Sequence, residues 1–396
     1  MMLGFLLARA GVDVLVLEKH GDFLRDFRGD TVHPSTLELM YELGLLEEFL
    51  KRPHQELRRI AVQIGEERVW GGDLSHLPTH AKFLAFMPQW DFLNFLAERA
   101  SAYPEFKLRM QAEVFELINE NGSVRGARAR TAQGELSVRA DLVVGTDGRT
   151  STVRQKAGLA VTDQGAPMDV LWMRISRKES DPEQSLGRVS AGRMMVTINR
   201  GEYWQCAFLI PKGGIEETKA RGVDKLREDI AMLVPHFRDR VDELQSWDDI
   251  KLLTVKVDRL EKWFKPGLLC IGDAAHAMSP VGGVGINLAV QDAVAAANIL
   301  ATPLQLGKVN PALLERVQRR REFPTRVTQR LQIVIQNRVI RRVLGAAQPL
   351  SVPWVVKLMQ KWPVLLRIPG RAIGMGARPE HIRTPDVHRA GSRLGS

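Results

Sequence analysis

Two cysteines in 396 residues is very little, and the scarcity excludes a disulfide-framed extracellular domain. Cys206 and Cys270 each lie in an apolar, strand-like run with no partner nearby in sequence. They read as buried free thiols in a reducing compartment, which points to the cytoplasm. No stretch carries about 18 or more uninterrupted apolar residues, so none reads as a helix through a membrane. The opening apolar run from Leu3 to Leu7 is short and has no basic leader, so it does not read as a signal peptide. Repeats and low-complexity segments are missing too. No His, Cys and Asp residues recur at a metal-binding spacing, and no metal is expected.

What the chain has in excess is positive charge. The formal net charge is +10, and nine arginines crowd the stretch from Arg316 to Arg342. The plain reading is a solvated helix face outside the catalytic core, broken by Pro324 and Pro349. Attraction to an anionic cofactor or to a membrane surface is the second reading, and peripheral membrane contact stays open. No nucleic-acid motif accompanies the charge, so no nucleic-acid partner is expected.

The organisation follows from the apolar periodicity. MMLGFLLARAG reads as a helix closed by Gly11, and VDVLVLE as a buried strand that delivers Glu18 to its end. Together they are the second half of a βαβ unit. Helices are predicted over Ser35–Leu50, Trp90–Ala102 and Val223–Leu233, and an alanine-rich one near 287–300. Asn121-Gly122 marks a hairpin among the short strands of 107–147. In the middle, VLWMRISR, RMMVTINR and EYWQCAFLIPK alternate as antiparallel strands, with Trp204, Cys206, Phe208 and Ile210 on one face. The fold class is therefore α/β, with parallel units at both ends enclosing an antiparallel insert. Residues 1–160 and 263–325 form a discontinuous ligand-binding domain, and 161–262 a substrate domain. Residues 57–86 are free to cross to the substrate sheet, and 326–396 form a helical C-terminal segment.

Two stretches carry chemistry. In GLLCIGDAAHAMSPVGGVGINLA a buried strand delivers Asp273 to its C-terminal end, where open α/β sheets bind ligands. Pro280, Gly282, Gly283 and Gly285 then let the backbone pass close to a ligand before a helix starts near Asn287, and a helix start favours an anion. In DLVVGTDGRTSTVRQKAGL a second strand ends in Gly145, Asp147 and Gly148.

These two segments, with RGDTVHPSTLELMYELGL (28–45) and MPQWDFLNFL (87–96), resemble the para-hydroxybenzoate hydroxylase family of FAD-dependent monooxygenases. The four segments stand in the family's order. The resemblance covers roughly residues 1–160 and 257–300, whereas 161–256 match in strand pattern only. It implies a Rossmann-like FAD-binding domain whose first strand and GxGxxG would lie just upstream of Met1. It also implies that Glu18 holds the adenosine ribose and that Arg28 and Gln89 contact the pyrophosphate. Asp147 and Gly148 would approach both flavin and nicotinamide. Asp273 would bind a ribityl hydroxyl, and Pro280, Gly285 and Asn287 would line the isoalloxazine.

The activity so implied is hydroxylation or epoxidation of an aromatic or polycyclic small molecule. NADPH or NADH would reduce FAD, and O2 would react through a flavin C4a-hydroperoxide. The cofactor supplies that chemistry, so no catalytic side chain is named, and His276 reads as structural. Trp172, Met194, Met195 and Trp204 read as core before pocket. The alternatives are a flavin-dependent reductase or halogenase-like relative, and a non-catalytic basic binding protein.

Overall fold

The helix Met2–Arg9 ends at Ala10, and Gly11 takes φ +78° to turn the chain into the strand Val14–Leu17. Gly4 allows the helix to lie on that strand, because a Cβ there would stand 2.9 Å from Val16 Cγ2. Residues 1–24, 31–183, 185–348 and 350–388 are described by this computed structural model. Val14–Leu17 pairs in parallel with Phe106–Arg109. A second parallel pair joins Val143–Gly145 to Leu268–Cys270. Among the described residues the two pairs belong to separate sheets. The helix Gly285–Gln305 packs on Met2–Arg9 and on the helix Pro311–Ile335, and its alanines close the largest apolar core. By length and composition the stretch Val281–Gln305 could cross a membrane, but 67% of its most apolar window is buried inside the fold.

The antiparallel insert forms as its alternation predicts. Seven strands run in the order Lys251–Leu253, Met168–Ser176, Tyr203–Pro211, Arg193–Asn199, Leu186–Ser190, Arg59–Ile64 and Glu67–Asp73. Trp204, Cys206, Phe208 and Ile210 pack against the helix Val223–Leu233, and Ala207 and Leu209 face the other way. Both cysteines are buried free thiols. The hairpin at Asn121-Gly122 turns through φ +49° and +75°.

Two expectations are corrected. The single helix predicted over Ser35–Leu50 is two, Pro34–Glu42 and Leu46–Phe49. Gly44 at φ +72° breaks the run, a conformation in which its missing Cβ costs nothing. The arginines expected on one solvated face also divide. Arg319 is exposed, but the Arg321 side chain is 1% exposed and donates from Nε to Asp292 Oδ1 at 2.9 Å. The periodicity hid this because the inward positions of Pro311–Ile335 are polar: Arg321, Thr325, Gln329 and Gln332 are all buried.

Candidate functional site

Parallel strands emit their following loops from one end, and here the register fixes which loops meet. Gly145 pairs with Cys270, so Asp147 and Asp273 leave adjacent strands at the same edge. The approach needs glycine, since a Cβ on Gly145 would lie 2.8 Å from Val153 Cγ1 and 3.0 Å from Cys270 Sγ. Burial pushes the Cys270 thiol up to about 12, so it stays a thiol.

The Asp147 carboxylate is engaged by its own loop. It accepts the Ser151 hydroxyl and, at 3.0 Å, the Val153 N–H, while Ser151 caps the helix Thr152–Lys156 by accepting the Arg154 N–H at 3.0 Å. Gly148, at φ +82°, faces open space with no atom within 4 Å of a Cβ position. Behind it, buried Arg154 donates to both oxygens of Asp258 at 3.2 and 3.1 Å. Asp258 also accepts the Ala277 N–H at 3.2 Å. This pair bolts the Asp147 loop to the chain just past Asp273. Asp258 was not anticipated, since a lone acid in a short strand carries no motif.

Asp273 is half-buried beside the glycine loop, its Oδ1 3.9 Å from where a Cβ on Gly285 would stand. Gly283, at φ +62°, touches the segment after Asp30: a Cβ there would meet Thr31 Oγ1 at 2.6 Å. Half-buried Pro280 opens this loop. The helix Gly285–Gln305 begins without a side-chain cap or an acid in its first turn. Its free N–H groups and positive end are therefore available to a ligand. Carboxylate, helix start and glycine surface together suit a flat ligand with a hydroxylated arm and an anionic edge.

The Asn287 side chain acts as a clamp. Its Oδ1 accepts the His33 N–H and the Thr36 hydroxyl, both at 2.8 Å, and its Nδ2 donates to Thr31 O at 2.9 Å and Gly283 O at 3.1 Å. The side chain thus ties the 31–36 segment to the glycine loop, leaving its backbone for a ligand. His33 beside it donates from Nδ1 to Ile373 O at 2.7 Å. Burial lowers its pKa to about 4, so the ring is neutral at pH 7.

The remaining expected residues stand on separate elements. Glu18 is half-buried at the end of Val14–Leu17 and accepts the His20 N–H at 2.9 Å. Gln89 is half-buried at the first position of the helix Gln89–Ala100. Arg28 lies outside the described residues. His276 is buried 2.5 Å from Asp292 with its ring against Trp263, inside the Arg321 network. Among the described residues no group of three His, Cys, Asp or Glu could hold a metal ion.

Opposite the glycine loop lies one face of the seven-stranded sheet. Trp172 is buried there, and half-buried Phe86, Met194, Val196 and Val281 pack beside it. Because Val281 belongs to the glycine loop, this apolar face and the Asp273 cradle adjoin. Trp204 and Met195 point to the other face, where Trp204 Nε1 donates to Asp181 at 2.8 Å. The four residues first read as one set therefore divide between two sides of the sheet.

A family model described as an FAD binding domain matches residues 1–331. The chain is 33% identical over 375 residues to 6-methylpretetramide 4-monooxygenase of Streptomyces rimosus, covering 92% of this chain and 88% of the relative. Among solved structures, the OxyS anhydrotetracycline hydroxylase from Streptomyces rimosus superposes with a TM-score of 0.71 at 22% identity, over 96% of this chain and 74% of that one. The p-nitrophenol 4-monooxygenase PnpA from Pseudomonas putida superposes at 0.70 and 20% identity, over 95% of each chain.

Proposed function

Since this chain belongs to the FAD-binding-domain family of flavin-dependent aromatic monooxygenases, we propose that it uses NADPH or NADH with O2 to hydroxylate a polycyclic aromatic compound in the cytoplasm. The observation that carries the reading is the junction of two surfaces. A carboxylate and an uncapped helix start lie on one side, and an apolar sheet face lies on the other, joined through Val281. A fused-ring substrate similar to that named for the 33%-identical relative suits such a face. The buried, unpaired thiols support a reducing compartment.

The residues present fit FAD. Gly285 carries no side chain beside Asp273, whose carboxylate would accept a ribityl hydroxyl. The uncapped start of Gly285–Gln305 would stabilise the negative edge of the reduced ring by roughly 0.3–1 kcal/mol, and by up to about 2 when partly buried. Glu18 would hold the ribose, and Arg28 and Gln89 the pyrophosphate. Pro280 and Gly148 would border the ring. When bound, FAD supplies hydride acceptance and oxygen activation. The chain's own contribution is to orient the ring and to keep water from the apolar side.

Asp273→Ala should weaken FAD binding by roughly 1.5–3 kcal/mol, the worth of hydrogen bonds to a charged group. An FAD titration showing an unchanged Kd would remove Asp273 from the site. The reaction itself is tested with isotopically labelled O2 and a tetracyclic aromatic acceptor. Product carrying one labelled oxygen, formed with NAD(P)H consumption, is expected. Consumption that proceeds equally without oxygen would make the chain a reductase.

A further inference from the structure

The long C-terminal stretch has an unusual composition. From Phe323 to Pro379 there are ten Lys or Arg and no Asp or Glu. Those ten equal the formal net charge of the whole protein, so the rest of the chain is neutral overall. Within this stretch large apolar side chains also face water. Trp354 is 75% exposed, Trp362 59% and Ile368 69%.

The two short helices here are held firmly. In Trp354–Lys361 the Gln360 amide accepts the Trp70 N–H at 2.9 Å and donates to Trp70 O at 2.8 Å, on the edge strand of the large sheet. In Arg367–Met375, Gly370 lies so close to the same strand that a Cβ would fall 1.9 Å from Asp73 O. Helical geometry puts Gln360 and Gly370 on the inner side. Trp354 and Leu358, four residues apart, then form an outer stripe, with exposed Trp362 just past the helix end and Lys357 and Lys361 along one side. Ile368 is turned outward in the same way, beside Arg367 and Arg371.

We propose that these two helices lie on the surface of an anionic membrane, with Trp354, Trp362 and Ile368 entering the headgroup boundary and the lysines and arginines meeting lipid phosphates. Charge complementarity selects this occupant. A second copy seated by two-fold symmetry would set Lys357, Lys361, Arg367 and Arg371 against the same four charges. An acid-free, cationic, tryptophan-bearing amphipathic surface matches an anionic bilayer interface in both of its faces. The helix Pro311–Ile335 supports the reading, since it buries glutamines while exposing Phe323, Val327, Leu331 and Val334.

The test is co-sedimentation of the full chain with phosphatidylcholine vesicles, with and without phosphatidylglycerol. Binding should be at least about tenfold stronger with phosphatidylglycerol and should weaken steeply with added salt. Trp354→Ser combined with Trp362→Ser should lower it by about tenfold or more, with an unchanged thermal melt because both side chains are solvent-facing. In the unsubstituted protein, acyl-brominated lipids should quench tryptophan fluorescence, which tests the contact without any variant. Failure to pellet with phosphatidylglycerol vesicles, or equal pelleting by the double variant, would overturn the proposal. So would a dimer that the double variant dissociates in the absence of any vesicle binding, which would make this face a contact between copies.

Discussion

Arg321→Ala should remove roughly 3–5 kcal/mol of folding stability, the usual cost of stripping one partner from a buried ion pair, whereas Arg319→Ala should change it by less than about 0.5 kcal/mol. The two residues sit on one helix, and burial separates them. The Arg319 side chain is 71% exposed and faces Glu315 at 3.8 Å, a pairing that screening leaves nearly worthless. Arg321 bridges Asp292 on the central helix to Glu380 beyond the last helix, at 2.9 and 3.2 Å. Its loss leaves Asp292, wholly buried, with only His276 and the Gly272 N–H. Paired urea melts of the two variants would decide the matter, and equal midpoints would overturn it.

The same network sets an acid limit. Burial alone would raise the Asp292 carboxyl, but His276 and Arg321 hold it below the ordinary carboxylate range. A depressed folded pKa contributes stability that is complete above the unfolded value of about 4 and is lost as pH falls through the folded value. The melting temperature of the unsubstituted protein should therefore drop below about pH 4.

How much of this was legible follows from where each signal resides. Alternation in 168–211 and the glycine, aspartate and strand order of both motifs are local patterns, and the strand register then joins Asp147 to Asp273. The role of Asp258 depends on a partner 104 residues away, Arg154, and no local pattern encodes that. Arg321 misled because hydropathy treats every arginine as solvated, while two carboxylates and a backbone carbonyl satisfy this one inside the fold. The split of Met194 from Met195 was available from period two alone, once the sheet's two faces had different duties.

Asn287 tests the site most sharply, because its neighbours distinguish a clamp from a simple pocket wall. Asn287→Ala would unpair the Thr31 and Gly283 carbonyls, the His33 N–H and the Thr36 hydroxyl. At about 1–3 kcal/mol per buried group, and with two groups finding no substitute, the loss is roughly 2–6 kcal/mol. Asn287→Asp is the finer probe. It keeps the acceptor for His33 and Thr36 but turns a second oxygen toward two carbonyls that the amide now holds at 2.9 and 3.1 Å. Ionising that carboxyl in a buried site is unfavourable, so its folded pKa should rise. A raised acid leaves the variant most stable at low pH, and the loss should grow as pH climbs above about 4. The unsubstituted protein should show the opposite slope near that pH, because of Asp292. FAD affinity should fall along with stability in both variants, since the glycine loop would no longer be tied to the 31–36 segment. Melting curves for Asn287→Asp that track the parent across pH 4 to 7 would show that the clamp carries no load.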